Sequence, residues 1–276
     1  MTNHIDTDSD LINVLLSADE SDLAILADFI TDNNKGRISL DSGIKGQLDT
    51  FKRLKTLMDN TDLIVKEIQE FGGNSFVNFV RGTGVPYRDL LEDVARHMSV
   101  KYESTDSVES IELKILWKVA VKAMEKMTPE EQLDFMSKVS GGKITGLGPV
   151  AMLALQAAIL AGGFSSYMLA TVIAQSIAKQ LVGRGLGFAA TGGLMQSISV
   201  FAGPIGWAIT AIWTAFDLSS EAYRVTVPCV LQVAYMRQKL KVGDLPKCKA
   251  CGDMLIQGQK FCAECGAAVE SEGGTI

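Results

Sequence analysis

The sequence predicts an all-α protein: a helical bundle around a Gly/Ala-rich hydrophobic helical hairpin, with a small cysteine module at its C-terminal end. Three observations carry this. Apolar residues recur at helical spacing through residues 1–140, with no run of strand alternation. Between Ile144 and Phe216 only Lys179 and Arg184 are charged. Four of the five cysteines fall in the last thirty residues, as two C-x-x-C pairs.

Composition bounds the answer further. The chain of 276 residues is 47% hydrophobic and only 21% charged, with a mean hydropathy of +0.19, and most of that excess comes from the central run. The net charge of −6 is concentrated at the start, where residues 1–50 hold ten acids against three bases. The remainder is close to neutral, so no basic patch exists on the scale that phosphate neutralisation requires, and nucleic acid is not an expected partner. The first ten residues, MTNHIDTDSD, are acidic and lack the basic and apolar regions of a secretory signal.

The elements follow in order. Leu11, Val14 and Leu15, then Leu23, Leu26, Ala27 and Ile30, give helical stripes, and Ser17 with Glu20 has the spacing of a capping box. TDNNKGRISLDSG is a loop by composition, a helix resumes near Ile44, and another runs from Asp62 to Phe71. Asn74 or Ser75 suits the cap of a short helix ending before Gly82. R-G-T-G-V-P lacks the glycine–lysine spacing of a phosphate loop and reads as a glycine hinge, with Pro86 opening the next helix. Val108 to Met127 is a strong helix, and Thr128-Pro129-Glu130-Glu131 starts the one after it, which Gly141-Gly142 stops. Gly203-Pro204 breaks the second half of the central run, and Pro228 starts or kinks the last helix. There Val230, Leu231, Val233, Ala234 and Tyr235 are packing residues and Cys229 is a buried thiol.

Within the central run small residues recur at every fourth position. In the first segment these include Ala154, Ala158, Gly162, Ser166 and Ala170, and in the second Gly185, Ala189 and Gly193. Positions four apart share one helix face, and a face without bulky side chains lets two backbones approach closely. The two segments are therefore expected to form a tightly packed antiparallel hairpin. Each is long enough to cross a bilayer core. Gln156, Gln175 and Gln196, the paired glycines and the basic link between the segments tilt the reading towards burial in protein at rest, with lipid as a possible destination.

At the other end, Cys248 and Cys251 form one pair and Cys262 and Cys265 a second, ten residues later, each followed by glycine. Four thiolates at this spacing suit one tetrahedral Zn²⁺ with no open position, a structural site. A redox dithiol is the alternative chemistry. The pattern also implies a reducing compartment, so the expected location is the cytoplasm, at the inner face of the cytoplasmic membrane. The segment 246–269 resembles the small zinc ribbons that end many bacterial proteins, in which F-C-x-x-C-G closes the second knuckle. With so few residues for a core, the metal would supply most of its folding energy.

Two further blocks, FGGNSFVNFVRGTGVPYRDLLEDVARHM and SSEAYRVTVPCVLQVAYMRQKL, resemble the YaaW-like family of bacterial proteins, which is grouped with the ubiquinol–cytochrome c chaperone family. The resemblance covers most of residues 8–240. It implies a helical fold and an assembly or chaperone role near a respiratory membrane, and it brings no catalytic residues. The organisation expected is an amphipathic helical region (1–140), the hairpin and C-terminal helices (141–241), the ribbon (246–269) and a flexible tail (270–276). The function expected is non-enzymatic: a membrane-associated interaction or assembly protein, chaperone-like, with a zinc-stabilised docking module, protein partners and contact with membrane lipid. The alternative is a membrane-inserting, pore-forming-like protein that releases its hairpin into lipid.

Overall fold

The structure, a computed structural model, describes residues 8–31, 42–71, 84–182 and 223–243, and within the C-terminal module 248–251, 255, 261–262 and 265–269. Among these residues the body is helical throughout: α1 Ser9–Leu16, α2 Glu20–Ile30, α3 Ser42–Leu54, α4 Thr61–Phe71, α5 Tyr87–His97, α6 Val108–Met124, α7 Pro129–Val139, α8 Pro149–Leu160, α9 Phe164–Leu181 and α10 Tyr223–Val242. A short 3₁₀ turn, Met58–Asn60, precedes α4. The predicted helix at 74–82, the arm 185–216 and the Gly203-Pro204 break lie outside the described residues.

The start signals explain where the helices begin. Thr128 and Glu131 form a complete capping box at α7, with Pro129 in its first position. Ser107 caps α6 by accepting from the Ser110 N–H. At α2 the expected Ser17–Glu20 box is replaced. The chain ends α1 at Ser17, and Asp19 caps α2 by accepting from the Asp22 N–H at 3.0 Å. Glu20 is thereby freed to accept from the Leu57 and Met58 N–H groups at 3.0 and 3.1 Å, fastening the 3₁₀ turn to α2. A carboxylate satisfies two orphan donors of another segment here, which no local spacing rule anticipates.

The R-G-T-G-V-P stretch turns on Gly84. A Cβ there would stand 2.6 Å from the Gln69 Cβ and 2.8 Å from its carbonyl carbon, so α4 and the lead into α5 approach as only glycine allows. The Val85 N–H then bonds to the Gln69 carbonyl at 3.0 Å.

The core sits around α10, which packs on α9 most extensively and also on α2, α6, α1, α5 and α4. Its residues from Val225 to Met236 are all buried and uncharged. A helix that is apolar all round belongs at the centre of a bundle. Pro228 lies inside this helix, and Cys229 is buried as expected.

The first half of the central run is not one helix. It breaks at Gly162-Gly163, both at φ +81°, into α8 and α9, which meet at 92°. A left-handed pair is nearly closed to residues with a Cβ, so the glycines make the corner. No single described helix is long and apolar enough to cross a membrane; α8 and α9 reach that criterion only together, as this bent pair.

Candidate metal centre and the buried ion pairs of the last helix

The C-terminal module is built by two knuckles. In the second, the Gly266 N–H bonds back to the Cys262 carbonyl at 2.9 Å, with Gly266 at φ +72°, and the Cys262 N–H bonds to the Ala267 carbonyl at 2.8 Å. Phe261 and Ala268 pair as an isolated antiparallel bridge. In the first, the backbone N–H groups of Cys251 and Ala250 point at the Cys248 sulfur and draw its thiol down to about 7. Gly252 lies outside the described residues.

The two knuckles bring the four thiol sulfurs of Cys248, Cys251, Cys262 and Cys265 within 4.8 Å of one another. Cys248 faces Cys265, and Cys251 faces Cys262, each at 3.6 Å. A Zn²⁺ tetrahedron with Zn–S bonds of about 2.3 Å has S···S edges of roughly 3.8 Å. The close pairs thus run between knuckles, as they do when all four sulfurs surround one point. The donor set can hold one metal ion. Among the described residues of the module, Cys248, Leu255 and Cys262 are buried, with Ala267 and Val269 packed against them.

The polar residues of greatest structural consequence lie elsewhere. At its C-terminal end α10 turns from apolar to basic, and each cation meets an acid from another helix. The Arg237 guanidinium holds Glu112 of α6, with Nε 2.7 Å from Oε2 and Nη2 3.2 Å from Oε1. Glu112 is fully buried and also accepts from the Tyr87 hydroxyl at 2.9 Å. Burial pushes the Glu112 carboxyl up, and Arg237 and Tyr87 oppose it. The Tyr87 N–H in turn donates to Asp8 at 2.6 Å, and Asp8 accepts from Gln69 at 3.1 Å. One connected network therefore joins the residue preceding α1 to α4, α5, α6 and α10.

Lys239 makes a second clasp, to Asp19 at 2.5 Å and Asp22 at 2.6 Å. Asp22 is 2% exposed, and burial raises its carboxyl to about 6 despite the pull of Lys239. Gln238 adds a third link: it accepts from the Ser166 hydroxyl of α9 at 2.6 Å and donates to Glu109 of α6 at 3.0 Å. These groups neutralise and bond one another, the pattern of a structural lock.

The small-residue positions separate along the run. Ala154 is exposed and Ala158 half-buried on α8, and Gly162 stands in the corner. On α9, Ser166 and Ala170 are fully buried. Gly185, Ala189 and Gly193 lie outside the described residues. Sequence reasoning missed Arg237, Lys239 and Glu112. Glu112 carried a signal nonetheless, since it sits with Ile111, Ile115, Leu116 and Val119 on the apolar stripe of α6.

The helical body that precedes the four-cysteine module has family relatives. The chain belongs to the family described as ubiquinol-cytochrome C chaperone, whose model matches residues 57–231, well over half of it. The match ends before the first cysteine of the module. Among curated proteins, a UPF0174 protein of Helicobacter pylori strain J99 is 37% identical over 177 residues, covering 64% of this chain and 70% of that protein. The UPF0174 protein YaaW of Escherichia coli K12 is 32% identical over 238 residues, covering 84% of this chain and 94% of YaaW. No solved structure matches the chain.

Proposed function

We propose that this protein is a non-enzymatic assembly factor of chaperone type, working at the inner face of the cytoplasmic membrane and carrying a zinc-stabilised module for docking to protein. The observation that carries the reading is membership of a family named for chaperoning a respiratory membrane component, across residues 57–231. By that name the client would be a membrane protein of a respiratory chain. The ion pairs support a non-catalytic body, because their acids and bases are engaged with one another. Four cysteine sulfurs within 4.8 Å support one structural zinc with no open coordination position. The module lies beyond the family match, so it suits a docking role added to a shared body.

The test is crosslinking in cells followed by capture of the full chain and of a chain lacking 246–276. Recovery of a membrane complex by the full chain, reduced or lost in the truncation, is the expected result. A full chain that fractionates wholly with soluble protein and captures no membrane partner would refute it. Metal analysis of protein purified without chelator should give about one zinc per chain, the stoichiometry of a four-thiolate site. The membrane-inserting alternative draws on the bent α8–α9 pair, in which Lys179 is the single charged residue. It predicts dye release from vesicles on addition of purified protein, which a docking protein does not cause.

A further inference from the structure

Helix α8 presents an open apolar face. Its exposed residues include Val150 (81%), Leu153 (64%) and Leu160 (36%), with Ala154 and Ala157 between them. These positions follow one another by three, one, three and three, so they share a single side of the helix. The opposite side is pinned to the body by Leu155 and Ile159, both 0% exposed. Ahead of the helix, residues 145–150 are all exposed, with Leu147 at 44%. No side chain between Lys143 and Lys179 carries a charge.

Three candidate occupants can be compared. A second copy meeting the same face would bring together one side of a twelve-residue helix from each protomer, against the ~800 Å² per partner that a stable interface buries. A soluble protein partner calls for a polar rim around the apolar centre, and this stretch offers a single charge for one, Lys143 at its edge. A bilayer calls for neither: it wants an uncharged aliphatic face with a flanking cation, and exposed Lys143 is that cation. Twelve residues make a helix of about 18 Å, too short to cross a ~30 Å core and long enough to lie in the interface. The 92° corner at Gly162-Gly163 completes the geometry, because it lets α8 lie along a surface while α9 turns into the body.

We propose that the exposed face of α8, headed by Leu147, lies in the outer layer of a phospholipid bilayer and is the surface through which the protein meets the membrane. This rests on the membrane-associated reading above and names the face responsible.

The test uses the full chain with vesicles of phosphatidylcholine and phosphatidylglycerol, read by co-sedimentation. Wild type is expected to sediment with the vesicles. Val150→Glu combined with Leu153→Glu should bind about tenfold or more weakly, since two charges are forced towards hydrocarbon. Leu54→Glu, at a 62% exposed position on α3, should bind as wild type. Circular dichroism of the double variant checks that it folds. Double-variant binding equal to wild type would overturn the assignment of this face and leave the membrane reading standing. A wild type that binds no vesicle would overturn both. A wild-type dimer that the double variant breaks, with vesicle binding unchanged, would give the face to a second copy and also overturn the proposal.

Discussion

Leu153 on α8 is 64% exposed, while Leu169, one corner later on α9, is fully buried. Yet the two helices are made of similar material: neither contains an acid, and Lys179 is the single charged residue in both. What separates them is the partner. Helix α9 lies along α10 and is fastened there by the Ser166–Gln238 hydrogen bond, whereas α8 reaches the core along one side only, with Leu155 and Ile159 buried and Ala151 and Met152 half-buried against it. Hydrophobicity along a chain says that burial is favourable; it does not say which stretch finds something to be buried against. In this molecule that is decided by α10 and by the ion pairs that hold it in place.

The largest effect should come from loosening that hold. Arg237→Met strands the Glu112 carboxylate in the core without its cation, a change that costs roughly 3–5 kcal/mol. Urea unfolding would measure it, and hydrogen exchange should show α9 losing protection once its cover is loosened. Adding Glu112→Gln removes the stranded charge while still accepting from Tyr87, and should recover most of the loss. Leu169→Ala comes next. It removes a fully buried side chain from the α9 core, at a cost of about 3 kcal/mol by the behaviour of similar core truncations.

Much of this was legible in the sequence, and the illegible part has physical causes. Helix existence, the helix start at Thr128-Pro129, the stop at Gly141-Gly142 and the four-cysteine cluster are consequences of local spacing, which a sequence displays directly. The 92° corner was half legible: the Gly162-Gly163 pair was visible, but two adjacent left-handed residues are a three-dimensional outcome. The locks at Arg237, Lys239 and Gln238 were hidden, because Arg237–Glu112 spans 125 positions and Lys239–Asp19 spans 220. A pair that far apart leaves no periodic trace. The hint that did exist, an acid on the apolar stripe of α6, marks a residue needing a partner without saying where the partner is.

The Asp22–Lys239 clasp gives the comparison a dependence on pH. The Asp22 carboxyl rises from 3.8 to about 6 on folding, so the native state holds its proton longer than the unfolded chain. By linkage its contribution to stability is most favourable below 3.8 and is lost as pH rises through about 6. Asp19, lowered through the Lys239 pair, contributes in the opposite sense, and its window lies below 3.8. Asp22→Asn should therefore flatten the fall in stability between pH 4 and pH 7, a difference on the order of 2 kcal/mol. Urea midpoints at pH 4.5, 5.5 and 7 would show whether the slope changes, and an unchanged slope would remove Asp22 as its source.

The smallest effect is the sharpest test of the contrast between α8 and α9. Leu153→Gln alters an aliphatic residue as large as Leu169, in a helix that carries no charge at all. Because its side chain already faces water, little apolar area changes environment on unfolding, and glutamine keeps the helix propensity of leucine within a few tenths of a kcal/mol. Stability in dilute buffer should move by no more than about 0.5 kcal/mol, the range of surface substitutions remote from packing. The same urea series used for Leu169→Ala would measure it. A loss comparable to that at Leu169 would mean that α8 is covered in solution, and the distinction between the two helices would collapse. A near-zero change, beside a loss of about 3 kcal/mol one corner away, would locate the boundary between core and open surface at Gly162-Gly163.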